Sequence, residues 1–205
     1  MLINAMRLFL AFTIFASLNV SSFADTTVVS NSASTSVDVQ KLTPAQQRAV
    51  RLDQLFGELH QQGVGENVVQ AETEIWRLWA KNDSPTAEAL IANASIAMAV
   101  KDYDASEQIL VQLIESYPTF AEGWNRRAIL YFAMKRYDAS LIDIGHVLEL
   151  EPRHFGALAG KGMILREQGK HDEALAAFKE ALAMDPHMET VKAAIKDLEK
   201  ADPKI

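Results

Sequence analysis

Apolar and polar positions alternate along most of this chain with the period of a helix. Leu52, Leu55, Phe56 and Leu59 fall at helical spacing, and Gly63 and Gly65 close that stretch. Thr43-Pro44-Ala45-Gln46 opens it with a capping-box pattern and a proline at the first helical position. Ala71, Ile75, Trp76, Leu78 and Trp79 form a second amphipathic stretch that ends near Asn82. At the far end Met188, Val191, Ala194, Ile195 and Leu198 mark one face of a last helix, with Lys192, Lys196, Glu199 and Lys200 facing elsewhere.

Between these ends the pattern repeats at an interval of 34 residues. Tyr103-Asp104-Ala105-Ser106 returns as Tyr137-Asp138-Ala139-Ser140, and His171-Asp172-Glu173-Ala174 takes the same place again. Pro118, Pro152 and Pro186 follow the same spacing. In phase with them, Leu90, Trp124 and Leu158 are large and apolar, while Ala94, Ala128 and Gly162 are small. Ser106, Ser140 and Ala174 are small again, and Leu110, Ile144 and Phe178 are large. Two antiparallel helices of about four turns, with two short connections, use about 34 residues. The small residues let paired helices approach closely, and the large ones fill the space between. Each proline ends a second helix, because it lacks the amide donor and clashes with the preceding turn. Thr119 and Glu122 form a capping-box pattern for the helix that follows.

The unit resembles the tetratricopeptide repeat (TPR) family, whose repeat is 34 residues of helix, turn and helix, over residues 87–188. The resemblance implies an all-α fold, a right-handed superhelix of antiparallel hairpins with a C-terminal capping helix. It divides the chain into three units (87–120, 121–154 and 155–188). A degenerate hairpin precedes them at 43–84, and a capping helix and tail follow at 189–205. The chain departs from the family where Asn93, Arg127 and Lys161 stand at a place usually filled by Leu. Gly145 also interrupts a second helix, at ~1 kcal/mol relative to Ala.

Composition narrows the function. The 205 residues are 49% apolar, enough for a substantial core, and contain no cysteine. That excludes disulfides, thiolate metal sites, a cysteine nucleophile and lipid attachment through cysteine. A formal charge of −7 argues against a nucleic-acid surface, which needs clustered Lys and Arg. Arg7 is the only charged side chain before Asp25, and an apolar run from Leu8 to Val20 leads to Ser22-Phe23-Ala24. That run is shorter than the ~20 apolar residues of a membrane span. Residues 1–24 therefore read as a signal peptide cleaved after Ala24, with Met1 or Met6 as initiator. Residues 25–42, rich in Ser, Thr, Val and Asn, read as a disordered tether. The family resemblance, to small exported proteins of Gram-negative bacteria, and the missing lipidation cysteine together predict the periplasm.

No constellation for catalysis emerges. His60, His146, His154, His171 and His187 are scattered, and Pro152 separates the two that lie closest, so no metal site is predicted. Gly156, Gly160, Gly162 and Gly169 follow no strand and lack a phosphate-loop lysine, so no cofactor is expected. Acidic pairs such as Glu149/Glu151 and Asp172/Glu173 sit on predicted solvent faces. The chain is read as non-catalytic.

In the resembled family the first helices of successive units line a concave side that holds the ligand. Here that side would present Met98, Asn125, Arg126, Ile129, Phe132, Met163 and Arg166. Only Asn125 and Arg126 suit a carboxylate, whereas Met98, Ile129, Phe132 and Met163 form an apolar strip suited to a helix or extended apolar segment. The expected function is an interaction scaffold that holds a protein or peptide partner in this groove. The alternative is a self-associating envelope protein, a homodimer with Trp76 and Trp79 on its contact face. In that case the groove is covered by the chain's own last helix or its tether.

Overall fold

The computed structural model describes residues 42–61 and 66–201. The expected signal peptide and all but the last residue of the expected tether lie outside that range. Among the described residues there are nine α-helices and no strand: α1 (Pro44–Gln61), α2 (Glu66–Trp79), α3 (Pro85–Ala99), α4 (Tyr103–Ser116), α5 (Ala121–Ala133), α6 (Tyr137–Leu150), α7 (Phe155–Glu167), α8 (His171–Met184) and α9 (Glu189–Ala201). The hairpins α3–α4, α5–α6 and α7–α8 stack in order, each second helix packing on the next first helix, and α9 closes the row against α8. The first helices also touch one another, α3 with α5 and α5 with α7, and so form one continuous side of the solenoid.

The 34-residue period has a hydrogen bond behind it. Ser106 Oγ donates to the carbonyl of Ala94 at 3.0 Å, and Ser140 Oγ donates to that of Ala128 at 2.7 Å. Each bond crosses a hairpin where both side chains are small enough for the helices to meet. The third unit has Ala174 and Gly162 at these places and makes no such bond. A Cβ on Gly162 would stand 2.5 Å from the Phe178 ring, so close packing replaces the hydroxyl.

The turns repeat as well. Lys101, Lys135 and Gly169 stand 34 apart and adopt φ of 64°, 58° and 74°, the left-handed conformation that ends each first helix. The next amide in each case closes the turn onto a carbonyl five residues back, as Arg136 does to Tyr131 at 2.8 Å. At the other turns the prolines sit two residues beyond α4, α6 and α8.

Three local expectations divide. The Thr43 capping box forms, with the Thr43 amide donating to Gln46 Oε1 at 2.9 Å and the Gln46 amide to Thr43 Oγ1 at 3.3 Å. The Thr119–Glu122 box does not form: Phe120 is the N-cap of α5, and Glu122 turns into the protein. Gly145 leaves α6 unbroken, exposed and with nothing near its absent side chain. At the second of the unusual polar positions, Arg127 grips the buried Asp143 of α6 through two bonds of 2.8 Å and lies over the Trp124 and Tyr131 rings. An ion pair thus fills a place that the family usually gives to Leu.

The N-terminal hairpin departs most from expectation. Helices α1 and α2 pack on each other, but they are not stacked on α3–α4 as a preceding unit. They lie against the turns that follow the second and third units. Phe56, Trp76 and Trp79 surround Phe155 with ring centroids 6.3, 5.2 and 5.0 Å away. Ile96 of α3 and Val100 at its C-cap are consequently left 64% and 71% exposed.

Candidate partner-binding groove and the aromatic seam beside it

The predicted groove residues separate into a buried and an accessible set. Asn125, Ile129 and Met163 are buried. Met98, Arg126, Phe132 and Arg166 are half-buried. Phe132 rests 5.7 Å from the Tyr137 ring, between the cores of the second and third units. Met98 packs against the core of the first unit. Helix α9 lays Val191, Ala194, Ile195 and Leu198 into the cluster that contains Ala159 and Met163, so the last helix narrows the strip from that end. Arg166 Nη2 stands 3.8 Å from its neighbour Glu167, a loose pair.

The centre of the groove is polar and closed by Glu122, which is 1% exposed. Arg126 Nε donates to its Oε1 at 2.6 Å, and Asn125 Nδ2 donates to its Oε2 at 2.9 Å. His154 faces the same oxygen with Nε2 at 3.6 Å. Because His154 Nδ1 accepts from the Ala157 amide at 3.1 Å, capping α7, the proton on the ring belongs to Nε2 and points at Glu122. Burial pushes the Glu122 carboxyl up, but Arg126, His154 and Asn125 together hold it at about 2. The group is therefore a fixed internal anion.

Behind His154 lies a seam that sequence reasoning missed. The Trp79 ring stacks on the His154 ring at 4.1 Å and 11°, and Trp76 meets it edge-on at 5.5 Å. Trp79 Nε1 donates to Glu151 at 3.4 Å, so Glu151 belongs to this contact and not to a solvent face. Arg153 reaches Asp53 at 2.6 Å and covers the Phe56 ring at 4.6 Å. A Cβ on Gly156 would overlap the Trp76 ring. The tryptophans thus occupy an internal contact and not an exposed dimer face. The signal available in the sequence was three aromatics in a hairpin that lacked the repeat's small-residue positions. Among the described residues no group of three or more His, Asp or Glu is placed to hold a metal ion. No described helix is long and apolar enough to cross a membrane.

Family models of the tetratricopeptide repeat match residues 121–154 and 156–188. A TPR repeat-containing protein of Rhizobium etli is 39% identical over 136 residues, covering 66% of this chain and 67% of that protein. The chain belongs to the tetratricopeptide repeat family. Residues 87–120 lie outside both model matches, yet α3–α4 carries the same serine-to-carbonyl crossing as the second TPR unit. The small glutamine-rich tetratricopeptide repeat-containing protein 2 of Saccharomyces cerevisiae is 31% identical over 58% of this chain, which spans 34% of that protein's length. Among solved structures, the first TPR of Spaghetti (RPAP3) bound to an HSP90 peptide superposes with a TM-score of 0.55 at 18% identity. That match covers 58% of this chain and 94% of the other. The Arabidopsis OM64 TPR domain gives 0.53 at 21% identity, over 56% of this chain and 94% of that one. At these identities the likeness establishes the TPR superhelix and nothing finer.

Proposed function

We propose that this TPR protein is a non-catalytic interaction scaffold of the periplasm that holds an apolar helix or extended segment of a partner along its first helices. One observation carries the reading: Glu122 already takes the Arg126 and Asn125 donors that an incoming carboxylate would need. The half-buried Met98, Phe132 and Arg166 remain for a ligand recognised by apolar contact with a basic end. That a TPR of similar fold is found with a bound peptide supports a peptide-sized occupant. The periplasmic setting rests on the export pattern of residues 1–24.

The test places a photo-crosslinker at the half-buried Arg166 of the groove and at the exposed Ile142 of α6 in cells. A partner captured from Arg166 and not from Ile142, and lost in Phe132→Asp while the helical circular dichroism at the assay temperature is kept, supports the reading. Equal capture from both faces, or capture that persists in Phe132→Asp, refutes it. Self-association is the second reading, favoured by the exposed Ile96 and Val100 on α3. Light scattering of the parent and of Ile96→Asp separates the two.

A further inference from the structure

Away from the aromatic rings, the N-terminal hairpin is fastened by groups that need protons. His60, near the end of α1, has Nδ1 2.8 Å from the Phe56 carbonyl and Nε2 2.9 Å from the Ala183 carbonyl of α8. Carbonyls only accept, so the ring makes both bonds only when both nitrogens carry hydrogen. Beside it, the Glu72 carboxyl of α2 faces the Asp185 carboxyl in the turn after α8. Two carboxyl groups so placed are held together by a proton and repel without one. Asp185 is 2% exposed and also accepts from the His187 amide at 3.0 Å, while His187 Nε2 donates to the Leu59 carbonyl at 3.0 Å. Helix α1 thus contributes His60, α2 contributes Glu72, and the turn contributes Asp185 and His187.

We propose that the α1–α2 hairpin is a proton-held clasp, closed on the turns of the second and third TPR units in mildly acid solution and released as the pH rises. Burial, and then the neighbouring Asp185, push the Glu72 carboxyl up to about 7, with His187 opposing. The carbonyls of Phe56 and Ala183, with Asp185 nearby, outweigh burial and raise His60. Burial raises Asp185 in the same direction. A group raised in the folded state stabilises it below its ordinary value and loses that contribution as pH rises through the raised one. Above neutral pH, Glu72 and Asp185 therefore face each other as two carboxylates, and His60 gives up one of its two bonds. At the other end of the seam Arg153 pairs with both Asp53 and Glu151. Opening uncovers Phe155 at the head of α7. The clasp does not depend on the scaffold reading, since it concerns the chain's own contact.

Native-state hydrogen exchange, expressed as protection factors so that the intrinsic pH dependence cancels, tests this on the mature chain. Protection of the α1–α2 amides is expected to fall at least about tenfold between pH 5.5 and 8, the effect of a single group raised by one unit. Protection in α5–α8 should hold. Glu72→Gln keeps a donor to Asp185 without titrating, and Glu72→Gln/His60→Gln removes two of the three raised groups. These variants should flatten the profile and leave α1–α2 more protected than the parent at pH 8. A parent profile flat across this range, or an undiminished fall in the double variant, overturns the clasp. A parallel fall in α5–α8 overturns it too, because the event would then be global unfolding.

Discussion

Gly156 and Gly145 both sit in helices, yet the same substitution should act on them in opposite directions. Gly145 lies on the solvent side of α6 with nothing within 4 Å of where a Cβ would stand. Gly145→Ala therefore gains only helix propensity, ~0.5–1 kcal/mol. Gly156 lies in the first turn of α7, directly under the Trp76 ring. That ring cannot yield easily, because Trp79, Phe155 and His154 all meet it edge-on at 5.2–5.5 Å. Gly156→Ala must push it out of these contacts. Overpacking costs ~1–3 kcal/mol, and aromatic pairs contribute ~0.5–1.5 kcal/mol each beyond their burial. The propensity gain is smaller than at Gly145, since the helix has barely begun. The net expectation is a loss of about 1–3 kcal/mol, or a few degrees in Tm at ~2–4 °C per kcal/mol for a chain of this size. Thermal melts read the totals, and near-UV circular dichroism reads the tryptophan packing. If Gly156→Ala melts with or above the parent while its tryptophan signal is unchanged, the docking of α2 on α7 is wrong.

Two further substitutions probe the repeat itself. Lys135→Gly relieves a left-handed residue whose conformation costs a side chain ~1–2 kcal/mol, partly offset by the freer unfolded chain, so a gain of ~0.5–1 kcal/mol is expected in denaturant melts. Asp143→Ala strips the buried partner from Arg127, whose side chain is 17% exposed. A loss of ~3 kcal/mol is expected, with most of it recovered in Arg127→Leu/Asp143→Leu; a mild single and a severe double would refute the pairing.

The TPR hairpins were legible because each recurring residue does a local job within its own unit. Small residues mark crossings, prolines mark exits, and a 34-residue interval needs no knowledge of the partner surface. The same rule explains the misses. The Thr119–Glu122 pattern is a sound cap on paper, but Arg126 and Asn125 both donate to the carboxylate, and two donors in a buried site, one of them charged, outweigh one cap. Glu151 looked solvated because the tryptophan that claims it lies 72 residues upstream. Groove residues such as Asn125 and Met163 were placed on the right helices, yet their burial depends on neighbouring units that the periodicity of one helix does not encode.

The docking of α1–α2 follows from what each surface lacks. Helix α3 is apolar nearly all round, with Ala89, Ala92, Ile96 and Val100 turned outward, so it presents a smooth face without a pocket for a large ring. The turns after α6 and α8 offer what Phe56, Trp76 and Trp79 require. Gly156 leaves a gap for one indole, His154 is a flat partner for the other, Arg153 covers the phenyl ring, and Glu151 accepts the indole N–H. Large aromatic rings contribute most where they are enclosed and their polar atoms are paired. A hairpin that carries three of them and no small-residue crossing signature is better matched to that seam than to the end of a stack. The exposed α3 face is the consequence, and it is why self-association remains the reading that competes with the groove.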